Sequence, residues 1–285
     1  MRAMRFIFET SCKWIAFIVL GAMLSSSVSF AQDYAREKRW ADEIKPAILV
    51  GDPIYLELPD GPGQGHKFLA IEAPGNNKVS AIVIVHGVGL HPDHSVIGIL
   101  RTKLNDLGYT TLAIQMPVAK SEGASVDHYY PALFPQAGAR LAAAARHLQN
   151  KGFQQLVLVS HSMGAWMSNV YLMETPDPPY AAWVSMGLTG RYWGASLISI
   201  PWFGIEWFPG KIRLPILDLY GENDLPPVVS GAGSRAAALA HIPGSEQARI
   251  PKADHFYAGQ ESVVAGTIDR FIRTIKIQAR KATGP

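Results

Sequence analysis

Cysteine is nearly missing: Cys12 is the single cysteine among 285 residues. That excludes a disulfide scaffold and any zinc or iron–sulfur site built from several thiolates. An excess of one charge is missing too. Twenty-six basic residues against 23 acidic ones leave a net +3, too little for a nucleic-acid stripe or a field that gathers acidic partners. No GxGxxG turn and no P-loop occurs, so nothing in the sequence is shaped to cradle a nucleotide phosphate. Internal repeats and low-complexity tracts are absent as well. No segment has the length of a membrane-spanning helix; the apolar run Trp14–Leu24 has 11 residues, against the ~20 that spanning requires. What remains is a globular composition, 48% hydrophobic and 17% charged, with enough apolar surface for a self-sufficient core.

The start of the chain is an address. Arg2, Arg5 and Lys13 precede the apolar run, and Ser25 to Ala31 follow it with small residues at Ser29 and Ala31. This pattern predicts a secretory signal peptide over residues 1–31, cleaved after Ala31. An uncleaved anchor is the alternative, which the short apolar run disfavours. Cys12 precedes the apolar core, which argues against a lipoprotein cysteine. Removal of this segment leaves a cysteine-free chain with 23 basic and 22 acidic residues, a net +1. Such a chain suits an oxidising compartment, and the bacterial periplasm is the expected location.

Residues 32–79 are expected to form a lead-in and a strand hairpin. Tyr34 to Lys45 is charged and helical or frayed, while Ile54–Leu58 and Lys67–Ile71 flank the turn Pro59-Asp60-Gly61-Pro62-Gly63. From residue 80 to 285 the pattern is strand–helix alternation. Ala81-Ile82-Val83-Ile84-Val85 is the continuous apolar run of a strand buried on both faces. Ile97, Leu100, Leu104 and Leu107 then recur at helical spacing until Gly108. Strands at Thr111–Ile114, Gln155–Val159, Ala182–Met186 and Pro215–Tyr220 alternate with helices around Ala137–Leu148 and Ala165–Glu174, and Val264–Ile275 is the last helix. The expected class is α/β, a mostly parallel central sheet with helices on both faces. The stretch 188–213 interrupts the rhythm and is rich in aromatic and apolar residues, among them Tyr192, Trp193, Trp202, Phe203, Trp207 and Phe208. It is an insertion that serves as a lid, as core, or as a patch touching a membrane surface or a partner.

Three strand ends carry chemistry. Val157 to Ala165 is a strand running into a helix, with Ser160-His161-Ser162-Met163-Gly164 between them. A small-x-Ser-x-Gly turn in that setting puts Ser162 at the tip of a sharp elbow, its hydroxyl at the head of the helix. Ser160 stands where glycine is commoner, a sterically mild departure. A serine hydroxyl needs a base to take its proton and an acid to orient that base. Asp224 follows the strand ending at Tyr220, and His255 follows the strand at Ala248-Arg249-Ile250. The chain order Ser162, Asp224, His255 is the one expected on this architecture, and all three fall past strand C-termini, where such sheets build their sites. Glu222 and Asp254 are rival acids; Asp224 is preferred because it stands clear of the turn. Asp254 reads as a capping or solvated neighbour and Asp218 as a buried, paired acid. An oxyanion hole would come from the backbone N–H groups of Val88, in the loop His86-Gly87-Val88-Gly89, and of Met163, which opens the helix.

With these residues in view, the chain resembles an α/β-hydrolase-fold protein, and more narrowly a bacterial family of exported hydrolase-like proteins of uncharacterised function. His86-Gly87-Val88-Gly89, His91-Pro92-Asp93, Gln115-Met116-Pro117, Leu133-Phe134-Pro135 and His161-Ser162-Met163-Gly164 carry the resemblance. It spans most of the chain past the leader, densest from Ser80 to Leu172. It implies a Ser–His–Asp hydrolase framework and supplies no substrate.

His86, His91 and His94 lie on one loop without the cysteines or acids of a familiar metal pattern, so no metal is expected. His161 reads as packing, and His128, beside Tyr129 and Tyr130, as lining the cleft or capping a helix. The expectation is therefore an exported serine hydrolase, esterase-like, that cleaves an ester-like acyl bond of a small molecule without metal or organic cofactor, the aromatic insertion suiting an apolar acyl or alcohol part. The contrasting possibility is a non-catalytic hydrolase-fold binding protein of the bacterial envelope.

Overall fold

The computed structural model describes residues 32–119, 131–189 and 211–275. The expected signal peptide at 1–31, the segment 120–130 that includes His128, and the aromatic stretch 190–210 lie outside the described residues.

Helix α1 (Tyr34–Ile44) precedes the hairpin strands β1 (Asp52–Glu57) and β2 (Lys67–Ala73). Then come β3 (Ser80–Val85), α2 (Ser95–Asp106), β4 (Thr110–Ile114), α3 (Phe134–Asn150), β5 (Gln155–His161), α4 (Met163–Glu174) and β6 (Ala182–Met186). The described part ends with β7 (Ile216–Gly221), the short helices α5 (Pro226–Ser230) and α6 (Ala232–Leu239), β8 (Glu246–Ile250) and α7 (Glu261–Thr274). One sheet holds all eight strands in the order β1-β2-β4-β3-β5-β6-β7-β8. The hairpin pairs antiparallel with itself and with β4; every pairing from β4 to β8 is parallel. The expected mostly parallel α/β sheet is what the chain forms.

Strand β3 is buried on both faces because Ile82 and Ile84 join a core with Val96, Ile97 and Leu100 of α2 and Val264, Ile268 and Phe271 of α7. The alternate residues face the other way; Val85 meets the start of α4, where a side chain on Gly164 would stand 2.7 Å from its Cγ1. Helices α3 and α4 pack together, as do α2 and α7. The apolar stripe of α2 is Val96, Ile97, Leu100 and Leu104, not one reaching Leu107. The helix ends at Asp106, Gly108 turns the chain at φ 95°, and Leu107 is left exposed.

Two buried ion pairs pin outlying pieces to this frame. Arg235 of α6 donates to Asp218 of β7 at 2.8 Å, and Gln247 of β8 donates to the same carboxylate at 2.7 Å. Asp218 is thus the buried and paired acid that its place inside a strand suggested. Arg140 of α3 grips Glu37 of α1 with two hydrogen bonds of 2.7 and 2.9 Å, the bidentate fork geometry that favours arginine over lysine.

The register brings the C-terminal ends of the parallel strands to one edge. Val85 pairs with Ser160, His161 with Met186, and Gly221 with Ile250. The loops that leave β3, β5, β7 and β8 therefore meet at this edge.

Candidate active site

Ser162 sits between β5 and α4 with φ 56° and ψ −122°, a conformation that costs a non-glycine residue of order 1–3 kcal/mol. The surroundings hold it there. Its N–H donates to the Met186 carbonyl at 2.9 Å, and its own carbonyl accepts from Ala165 at the same distance. The crossing is close: a Cβ on Gly164 would lie 2.4 Å from the His86 carbonyl oxygen, so the helix can start here only with glycine. Ser160 is fully buried and uses its hydroxyl to accept the Trp183 indole N–H at 2.7 Å. Serine in place of glycine at that position adds a tie to β6.

His255 bridges the other two groups. Its Nδ1 lies 2.6 Å from Asp224 Oδ1 and its Nε2 lies 3.0 Å from Ser162 Oγ. A carboxylate can only accept, so Nδ1 carries the proton and Nε2 turns its lone pair to the serine hydroxyl. Asp224 is buried and also accepts from the Leu225 N–H at 2.7 Å and the Gly221 N–H at 3.2 Å. Burial alone would raise its pKa. The bond to His255, the charge of that ring and the two amides outweigh burial, and they hold the carboxyl below its ordinary range.

The rival acids are engaged elsewhere. Glu222 accepts from Arg249 at 2.7 Å and from the Lys252 N–H at 2.8 Å. Asp254 caps its own turn through the N–H groups of Phe256 and Ala258. Val88 stands in the loop after β3, more than a third exposed, next to Gly87. Gly87 presses on the nucleophile: a Cβ there would be 2.9 Å from Ser162 Cβ. Met163 is the first residue of α4.

Two supporting residues had only a weak sequence signal. Gly187, just past β6 at φ 64°, lies under the histidine, where an added Cβ would come within 2.9 Å of His255 Cε1. A glycine closing an apolar strand was its one trace. His161, read as packing, is fully buried and donates from Nε2 to the His255 carbonyl at 2.8 Å. Its ring lies 4.8 Å from that of His255.

His86 plays the matching part on the other side. It joins the end of β3 to the end of β4, with Nδ1 donating to the Gly87 carbonyl at 2.8 Å and Nε2 accepting from the Met116 N–H at 2.9 Å. Both rings stay neutral because burial disfavours the cation: His86 is lowered from 6.5 to about 3, and His161 from 6.5 to about 4, the latter also by the neighbouring His255. A native value below the unfolded one means that the unfolded chain binds more protons in between. The stabilising contribution is complete above about pH 6.5 and is lost as pH falls toward about 4 for His161 and about 3 for His86. Denaturant titrations from pH 7 to 4 are expected to show a loss of up to roughly 1.4 kcal/mol per pH unit per histidine. His161→Gln should flatten that slope, and an unchanged slope would rule this account out.

His91 and His94 stack edge to face with ring centroids 5.3 Å apart, while Asp93 of the same loop accepts from Arg101 Nε at 2.7 Å. Among the described residues, no group of three or more histidine, cysteine or acidic side chains is placed to hold a metal ion.

No protein-family model matches this chain, and no curated protein is similar to it in sequence. Solved structures are similar in fold. A dienelactone hydrolase from Anabaena variabilis matches with a TM-score of 0.60 at 17% identity, over 78% of this chain and 95% of that one. Est1E from Butyrivibrio proteoclasticus, known also with ferulic acid bound, matches with a TM-score of 0.59 at 17% identity, over 78% and 97%. A serine hydrolase without a lid from Xanthomonas campestris gives 0.54 at 16% identity, over 79% and 94%. Sheet order, strand directions and these likenesses agree: the chain has the α/β-hydrolase fold.

Proposed function

We propose that this chain is a serine hydrolase that cleaves an ester-like bond by acyl transfer, with Ser162 as nucleophile, His255 as general base and then acid, and Asp224 as the group that orients the imidazole. The observation that carries this reading is the unbroken hydrogen-bond chain from Asp224 through His255 to Ser162. Ser162 Oγ attacks the carbonyl carbon as its proton passes to His255 Nε2, and Asp224 stabilises the cation so formed. The Val88 and Met163 amides receive the oxyanion; one such donor is worth about 3 kcal/mol in the transition state. The imidazolium then gives its proton to the leaving alcohol, and water attacks the acyl-serine by the same route. The substrate is a small-molecule ester, a reading supported by fold neighbours, one a thermophilic esterase from Thermogutta terrifontis and another, Est1E, known with ferulic acid bound.

The test is a fluorophosphonate probe applied to the purified chain beside Ser162→Ala. Labelling of the native protein alone is expected; a folded native protein that stays unlabelled would turn the reading toward a ligand-binding protein.

Export belongs to the same proposal and rests on Arg2, Arg5, Lys13, the apolar run and the small residues before Gln32. Expressed in full in a Gram-negative host, the chain is expected in the periplasmic fraction with an intact mass that starts at Gln32. A chain that keeps Met1 to Ala31 would sink this part of it.

A further inference from the structure

We propose that the site accepts only a short acyl group, of about two or three carbons, and that Trp40 sets the limit. The proposal rests on the reading of Ser162 as nucleophile. A narrow cavity is lined by Trp40, His86, Gly87, Met116, Met163 and Met167, among others. Two of these flank the nucleophile directly: Gly87, whose added Cβ would touch Ser162 Cβ, and Met163, the next residue in the chain. In this proposal the acyl substituent of a carbonyl held against the Val88 and Met163 amides enters this cavity.

Size and chemistry both restrict what enters. The cavity has a volume of about 10 Å³, room for about one water or methyl group. Three methionines, Trp40, Leu90, Pro117 and Val118 are in its lining. Among the described lining residues His86 is the one titratable side chain, and it has both ring nitrogens engaged, one with the Gly87 carbonyl and one with the Met116 N–H. A buried neutral ring with no free donor or acceptor offers nothing to a polar or charged acyl group, so the fitting occupant is a small apolar one.

Trp40 comes from α1, outside the parallel core, yet it forms one wall. The Arg36 guanidinium lies over its ring at 4.8 Å, and Glu37, three residues before it, is clamped by Arg140. The wall is therefore fixed by contacts away from the cavity, and cutting back the indole would lengthen the space toward α1.

The experiment compares kcat/KM for p-nitrophenyl acetate, propionate, butyrate and hexanoate in the native protein, Trp40→Ala and Trp40→Phe. The native protein is expected to favour acetate or propionate over hexanoate by roughly tenfold or more, the discrimination that one or two methylenes give in a tight apolar pocket. Trp40→Ala should raise the hexanoate-to-acetate ratio about tenfold. Trp40→Phe, which keeps a ring in the packing, should raise it less. An active native protein that prefers hexanoate, or a ratio unmoved by both variants, overturns the proposal. Xenon-pressurised crystals keep its failure apart from failure of the hydrolase reading. Xenon beside Trp40 and Met163 in a protein that neither hydrolyses any ester nor takes the fluorophosphonate would remove the role of Ser162, and the acyl assignment with it, while leaving the cavity itself.

Discussion

Ser162→Ala is expected to lower kcat for an activated ester by about 10⁴-fold or more with little change in folded stability. On the proposed mechanism the group removed is the one atom that bonds to substrate, and the rest of the site stays in place. The strained turn should relax slightly rather than fail, because alanine meets the same φ of 56° as serine and the Met186 and Ala165 hydrogen bonds are made by backbone. His255→Ala should cost about as much, since a serine without a base attacks poorly. The double variant should cost hardly more than either single one, because the groups act as a unit. Steady-state kinetics on the three proteins checks this. Additive losses, or turnover surviving in Ser162→Ala, would mean that another group delivers the attack. Asp224→Asn belongs in the same series. Asparagine can present an N–H to His255 Nδ1 and hold the wrong tautomer, so a loss comparable to that of Ser162→Ala is expected.

The second large effect is on stability and lies far from the nucleophile. Glu37→Ala is expected to cost about 3–5 kcal/mol, since it strands the fully buried Arg140 without its partner. For a chain of this size that is a fall in Tm on the order of 10 °C. Burial raises the Glu37 carboxyl, but the Arg140 charge, with the His66 ring 3.3 Å away, more than offsets it and holds the carboxyl below its ordinary range. Arg140 also donates to the Gln115 carbonyl at 2.8 Å, and the Gln115 side chain reaches His86 at 3.1 Å. Loss of the pair thus loosens both α1 and the strand end behind the loop that holds Val88. Calorimetry of Glu37→Ala beside the apolar double variant Glu37→Leu/Arg140→Met is the check. The double variant should recover most of the loss, because no charge is left buried alone. A single variant as stable as the native chain would show that Arg140 finds water or another acceptor.

Much of the fold was legible because its signals are local. The runs at Ser80–Val85 and Gln155–His161 are apolar on both faces, and in a parallel sheet such strands must lie at the centre, as they do. The stripe of α7 and the glycine stops after α2 and α3 were equally plain. Helices α5 and α6 were not assigned in advance. Proline interrupts a helix interior, yet Pro226 and Pro227 stand in the first turn, which tolerates them, and Ala236 to Ala238 carry no apolar period. The charged lead-in gave no hint that it docks through a buried ion pair, since a glutamate on a helix is ordinarily at the surface.

The sequence by itself determined the fold class, the elbow and the order in which serine, acid and histidine occur. Each rests on a pattern within a few residues, where backbone geometry restricts which side chains fit. Only the tertiary structure decided which acid meets His255. Asp224, Glu222 and Asp254 all stand on strand-end loops, and the choice depends on where two loops 31 residues apart come together. It alone placed Gly187 under the imidazole, tied His161 to the His255 carbonyl and set Trp40 in the wall of a cavity that Gly87 and Met163 also line. Adjacency across a sheet edge arises from strand order and register, which local residue patterns do not record.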